Sequence, residues 1–128
     1  LNLLNINLLI PIRIVNKLIK NRLLNENSKV FFLSSKAANY AEIGNAYYSI
    51  SKNSLNFASK ILNKENRKRK IRFQTISAGI INSKMGKKVK QLIMLKTKKS
   101  KFNLDTKINN LVKFVKAVIE NKRKSVKL

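Results

Sequence analysis

The stretch "KVFFLSS" (residues 29–35) holds a short continuous apolar run, Val30 to Leu33, between a lysine and a pair of serines. Its length and flanks predict a buried strand that ends at Ser34 and Ser35. On its carboxyl side a loop runs to about Gly44, and from Tyr47 to about Asn66 the apolar positions Tyr48, Leu55, Ala58, Ile61 and Leu62 suit a helix. "KIRFQTIS" (70–77) then predicts a second strand, broken by "AG". On the amino side, Leu8, Leu9, Ile12, Val15, Leu18, Ile19 and Leu23 recur at steps of three and four, which predicts an amphipathic helix from about Asn7 to Leu24, stopped by "NENS". Helix, strand, helix, strand is a β-α-β crossover with a leading helix, and so an α/β fold.

Beyond the second strand the pattern loosens. "NSKMGKKVKQLIMLKTKKSKFN" (82–103) reads as a loop with one short helix. "LDTKINNLVKFVKAVIENK" (104–122) places Ile108, Leu111, Val112, Val115, Val118 and Ile119 on one helical face behind Asp105 as N-cap. No internal repeat and no proline- or glycine-rich linker divides the chain, so residues 1–128 are expected to form a single domain.

Composition narrows the chemistry. The 128 residues include no histidine and no cysteine, which removes the usual general base, the thiol nucleophile and the commonest metal ligands. The acids Glu26, Glu42, Glu65, Asp105 and Glu120 are scattered singly, so paired-carboxylate hydrolysis and a carboxylate metal cage have no support. No metal site is expected, and proton chemistry falls to tyrosine, lysine or serine. The net charge is +24, divided as +4 over residues 1–35, +7 over 36–83 and +13 over 84–128. A charge of that size supports non-specific nucleic-acid binding through counterion release. Lysine, asparagine and isoleucine supply 56 of the residues, a bias that also bears on the charge. "LNLLNINLLIPIRIV" (1–15) is interrupted by Asn2, Asn5, Asn7, Pro11 and Arg13, so no membrane span is expected and the protein is placed in the cytoplasm.

In a β-α-β unit ligands sit at the carboxyl ends of the strands, where Ser34, Ser35, "SAG" and the start of the intervening helix all lie. Tyr48 and Lys52 share a face of that helix about one turn apart, with the ammonium placed to favour a phenolate. Spacing alone leaves open whether they are a working pair or two ordinary helix residues. Ser34 and Ser35 face opposite ways on a strand, and Tyr47, unlike Tyr48, is out of step with Lys52.

Four pieces in order resemble the short-chain dehydrogenase/reductase family, particularly its 3-oxoacyl-carrier-protein-reductase-like members. "INLLIPIRI" (6–14) is similar to that family's asparagine-bearing helix start and "KVFFLSS" to its serine strand. "YSISK" (48–52) is similar to its Tyr-x-x-x-Lys motif and "SAGIINSKM" (77–85) to its Pro-Gly segment over the nicotinamide. Ser35 precedes Tyr48 by 13 residues, Asn7 precedes Ser35 by 28 and Gly79 follows Tyr48 by 31, which fits the family layout without gaps.

The resemblance implies a partial Rossmann-like doubly wound parallel sheet and an oxidoreductase that moves a hydride between NAD or NADP and a carbonyl or alcohol. It implies that Tyr48 exchanges a proton with the substrate oxygen and that Ser35 hydrogen-bonds that oxygen. Lys52 would tune Tyr48 and hold the nicotinamide ribose, and Asn7 would anchor a proton-carrying water. Gly79, Ile81 and Ser83 would contact the nicotinamide. It also implies a homo-oligomer in the complete protein.

Ala78 stands where the family has proline, and Gln74 where its strand commonly has asparagine. No glycine-rich strand-to-helix turn precedes Asn7, since the glycines are Gly44, Gly79 and Gly86. The expectation is therefore a catalytic half without the cofactor-binding amino-terminal half, with residues 1–83 carrying the site motifs and 84–128 a basic loop and terminal helix. The competing expectation is a basic nucleic-acid-binding or interaction module on a degenerate enzyme fold, which has no need of Asn7, Ser35, Tyr48 and Lys52 in enzyme spacing.

Overall fold

The computed structural model describes residues 2–40 and 43–80, together with residues 87, 91, 109, 112, 113, 116 and 117. The chain forms two compact units, Leu1–Ser77 and Ala78–Leu128.

The first unit opens with a helical run, α1, spanning Asn2–Lys20. It starts before the predicted Asn7 and stops before Leu24. The early stop has a local cause: Arg22 adopts φ 56°, its N–H reaches the Ile19 carbonyl at 3.1 Å, and the Leu23 N–H reaches the Leu18 carbonyl at 2.9 Å. Those paired bonds close the last turn with a left-handed residue, so apolar periodicity continued past the helix that it predicted. Leu23 is left exposed while Leu24 packs on the core.

Within α1, Asn5–Leu9 is wound as a π turn, and Ile10–Lys20 returns to α geometry with Pro11 in its first turn. Proline has no N–H to offer the carbonyl four residues back, and its ring crowds that carbonyl. For Pro11 that residue is Asn7, and the wider turn relieves the conflict.

Strand β1 is Lys29–Ser35, as expected, and a 3-10 turn Lys36–Ala38 follows in what the sequence left as loop. Gly44 takes φ 80° before helix α2, Ala46–Glu65, whose last turn is closed by the Asn66 amide donating to the Leu62 carbonyl at 2.9 Å. Strand β2, Arg72–Ala78, begins two residues later than expected because Lys70 lies at φ 56°, outside the extended region. β1 and β2 pair in parallel with α2 as the crossover.

One core holds these elements together: Val15 from α1, Phe32 from β1, Leu55 and Leu62 from α2, Ile71, and Phe73 from β2, with Leu8, Ile12, Ile19, Leu24 and Val30 packed around them. The 3.6-residue rows of both helices and the inward positions of the strands meet there. At 19 residues and a mean hydropathy of 1.2, α1 is long and apolar enough to cross a membrane on length and composition, despite its asparagines and Arg13. One side of it is nonetheless committed to this core.

In the second unit, Ala78 ends β2 and is followed by Gly79 and Ile80. Lys87, Gln91, Asn109, Val112, Lys113, Lys116 and Ala117 are helical. The predicted N-cap Asp105, and the terminal helix's apolar positions other than Val112, lie outside the described residues.

Asn63 replaces a neighbouring strand at one point on β2. Its Oδ1 accepts from the Phe73 N–H at 2.9 Å, while its Nδ2 donates to the Phe73 carbonyl at 2.6 Å and to the Ser59 carbonyl at 2.9 Å. Phe73 is 1% exposed, so these backbone groups have little recourse to water. Asn63→Ala is expected to lower stability by about 2 kcal/mol, read as a lower urea midpoint at unchanged slope. Asn63→Asp, which keeps one acceptor but sets a carboxylate oxygen against the Phe73 and Ser59 carbonyls, should lose at least as much; an unchanged midpoint for Asn63→Ala would show that the clamp is dispensable.

Candidate functional site

Tyr48, Ser51 and Lys52 occupy the first two turns of α2, facing the strand that ends in Ser34 and Ser35. Lys52 reaches across to β1, where its Nζ donates to the Leu33 carbonyl at 2.9 Å. The same ammonium lies 5.8 Å from the centroid of the Tyr48 ring, within reach of a cation–π attraction. Burial lowers the Lys52 pKa from its usual 10.5, because a half-desolvated ammonium gives up hydration that one carbonyl only partly replaces.

The two serines divide as strand alternation requires. Ser34 is buried, and its hydroxyl donates to the Lys52 carbonyl at 3.1 Å, which fastens α2 to the strand end. Ser35 is half-buried, and its Oγ accepts from the Ala37 N–H at 3.2 Å as cap of the 3-10 turn. A hydroxyl that accepts there keeps its own proton to donate. Ser34 is thus structural, and Ser35 is the serine with a donor to spare.

Asn7 joins the same helix from α1. Its Nδ2 donates to the Ser51 Oγ at 3.4 Å, at the long end of the range, and that hydroxyl donates to the Tyr48 carbonyl at 2.7 Å. Ser51 is 0% exposed, so it links Asn7 to the backbone of Tyr48 inside the protein. Sequence reasoning missed Ser51, although it sits inside "YSISK"; a small hydroxyl on the inner face of a helix was the available signal. Tyr48 is half-buried, whereas Tyr47 is 70% exposed and points away from the pair.

The structure therefore brings Asn7, Tyr48 and Lys52 onto one helix end and ties Lys52 to the strand of Ser35. Gly79 follows β2 directly, in the second unit. Ile81 and Ser83 lie outside the described residues. Beside the pair, the 3-10 turn and α2 enclose an open cleft of about 360 Å³, lined by Asn39, Tyr40, Ser49 and Asn53 among others. The Ser49 hydroxyl is buried without a partner. Neither Tyr48 nor Lys52 lines this cleft.

The ribose end of a nicotinamide cofactor fits what is present: an ammonium beside a phenol at a strand's carboxyl end. The pyrophosphate end does not, because its glycine-rich turn is missing from the sequence.

Comparison with known proteins bears on the fold and the family. A structure of 4-hydroxyisoleucine dehydrogenase complexed with NADH is similar over 96% of this chain and 52% of its own, at 21% identity and a TM-score of 0.72. The same enzyme complexed with NADH and succinate is similar over 91% and 48%, at 22% identity and a TM-score of 0.72. A short-chain dehydrogenase/reductase described as a glucose/ribitol dehydrogenase, from Brucella melitensis, is 30% identical over 62% of this chain and 33% of its own, with a TM-score of 0.53. The chain spans about half the length of the first two of these structures. No curated protein matches it. The first two likenesses establish a Rossmann-type α/β fold, and the family described as enoyl-(acyl carrier protein) reductase matches residues 1–115. With that match over most of its length, the chain belongs to this family of short-chain dehydrogenases/reductases.

Proposed function

We propose that this chain is the catalytic half of an NAD- or NADP-dependent oxidoreductase acting on a small carbonyl or alcohol, and that it works with an amino-terminal half carrying the cofactor cradle. The observation that carries the reading is the placement of the Lys52 ammonium between the Tyr48 ring and the Leu33 carbonyl, at the end of the strand that bears Ser35. The nicotinamide, when bound, supplies or receives the hydride. The residues here orient the substrate and move its proton.

Ser35 donates its remaining proton to the substrate oxygen and stabilises the charge that develops there. Tyr48 gives the proton in reduction and takes it back in oxidation. Lys52 holds the nicotinamide ribose hydroxyls and keeps a positive charge beside the phenol. Asn7 anchors the water that refills the proton. The family resemblance assigns the nicotinamide contacts to Gly79, Ile81 and Ser83.

The bare apolar residues Ile6, Ile10 and Ile14 of α1 and Ile50, Phe57 and Ile61 of α2 support a homo-oligomer in the complete protein. The reading places the protein in the cytoplasm, with α1 as a core helix rather than a span.

In the chain joined to an amino-terminal half of a relative, Tyr48→Phe should cut NAD(P)H-dependent carbonyl reduction by at least about a thousandfold and leave cofactor affinity within about threefold. Unchanged turnover would remove Tyr48 from the mechanism. Lys52→Ala should damage both turnover and cofactor affinity; damage confined to turnover would remove its ribose contact.

The lowered Lys52 pKa sets a pH limit. Cofactor affinity should fall as pH rises through a value below 10.5, where the ammonium deprotonates. Fold stability moves the other way: between that value and 10.5 the unfolded chain binds a proton that the folded one has released, so stability rises with pH across the window. An alkaline limb at or above 10.5 would show that Lys52 is not the group being titrated.

A further inference from the structure

The end of the sheet opposite the candidate site has no part in the chemistry, yet it concentrates charge. Two loops meet there, one entering β1 (residues 21–28) and one entering β2 (residues 66–71). They are stitched by backbone: the Asn27 N–H donates to the Arg69 carbonyl at 3.2 Å, and the Arg72 N–H donates to the Ser28 carbonyl at 2.9 Å. The half-buried Arg69 turns its guanidinium inward to the Leu24 carbonyl. The spacing of the other cations is thereby set by hydrogen-bonded turns rather than by a loose tail.

Five exposed cations remain on this rim, Arg22, Arg67, Lys68, Lys70 and Arg72, against the acids Glu26 and Glu65. Helix polarity explains some neighbouring charges but not these. Both helices end here, and Lys20 and Lys64 in their last turns complement the negative helix ends. The five lie beyond those turns. Arg22 and Lys70 moreover occupy left-handed backbone, each at φ 56°, where a side chain costs roughly 1 kcal/mol over glycine. Interleaved with them are the exposed Asn21, Asn25 and Asn27, whose amides hydrogen-bond phosphate and sugar oxygens.

We propose that this rim docks the phosphodiester backbone of double-stranded nucleic acid, without regard to sequence. No aromatic residue lies in either loop, so no base-stacking platform is present, and the contacts are those of side-chain charge with phosphate. A lipid surface fits less well, because Leu23 is the one exposed large apolar side chain among these loop residues and its segment is otherwise rich in exposed asparagine. The β1 strand separates the rim from Ser35 by roughly 20 Å, so docking leaves the opposite end free.

The test titrates a fluorescent duplex of about 20 base pairs with the full chain at roughly 50–200 mM salt, following anisotropy. A triple variant, Arg67→Gln, Lys68→Gln and Lys70→Asn, is compared with a control of equal charge change, Lys96→Gln, Lys98→Gln and Lys99→Gln. The rim variant should lower the logarithmic salt slope by about 0.9 for each phosphate no longer neutralised, ~2.7 in all, and weaken binding equally on unrelated duplexes. The control should leave the slope unchanged. If the triple variant does not keep the circular-dichroism spectrum of the folded chain, Arg67→Gln and Lys68→Gln alone should each lower the slope by about 0.9. Equal effects of rim and control would assign binding to the diffuse field of the chain and overturn the proposal. Undetectable binding at the lowest salt would overturn it too, as would tighter rim-dependent binding to vesicles of anionic lipid than to the duplex.

Discussion

The packing of α2 across β1 is the constraint on which the candidate site depends, because it brings the turn of Tyr48, Ser51 and Lys52 to the strand end that carries Ser35. Leu55 and Leu62 are 2% and 5% exposed, and they set the helix down on Phe32 and Phe73. Burying side chains of that size contributes on the order of 2 kcal/mol each, against about 1 kcal/mol for a neutral hydrogen bond. The polar contacts instead choose the azimuth and height of the helix. Ser34 holds the Lys52 backbone, Asn53 donates to the Ala38 carbonyl at 2.9 Å, and Asn63 holds Phe73. A core of apolar rows tolerates small rotations; hydrogen bonds to strand and turn carbonyls do not.

The same division explains how Lys52 can be half-buried. An ammonium taken partly from water must be hydrogen-bonded, and the Leu33 carbonyl lies at the far end of its reach only because α2 is held at that height. The lowered pKa is the residue of an incomplete exchange of solvation. A group in that state gains from any further oxygen ligand.

Much of this was legible in the sequence, for identifiable reasons. "KVFFLSS" matched its strand, and α2 was displaced by a single residue at each end, because strand length and helical period leave direct marks on apolar spacing. Ends set by backbone conformation left none. Arg22 and Lys70 stop α1 and delay β2 in left-handed geometry that lysine- and arginine-rich sequence does not announce. The membrane expectation rested on counting polar interruptions, whereas mean hydropathy over the helix passes the length and composition test that those interruptions were thought to fail. The π turn was written in Pro11 and its distance of four from Asn7, but a pattern of apolar steps cannot see a carbonyl.

That turn bears on why Asn7 stands where it does. In a regular α-helix the Asn7 carbonyl would be consumed by the residue four ahead, and its side chain would be one more polar group on a helix. Pro11 withholds the donor, and the π winding shifts the register of everything amino-terminal to it by about one residue. The Asn7 amide then reaches the Ser51 hydroxyl, a position that is 0% exposed. An asparagine among 18 in this chain acquires a distinct position beside one proline, since the π winding that accommodates Pro11 sets where its side chain lies. Helix geometry, rather than residue identity alone, separates this asparagine from the others.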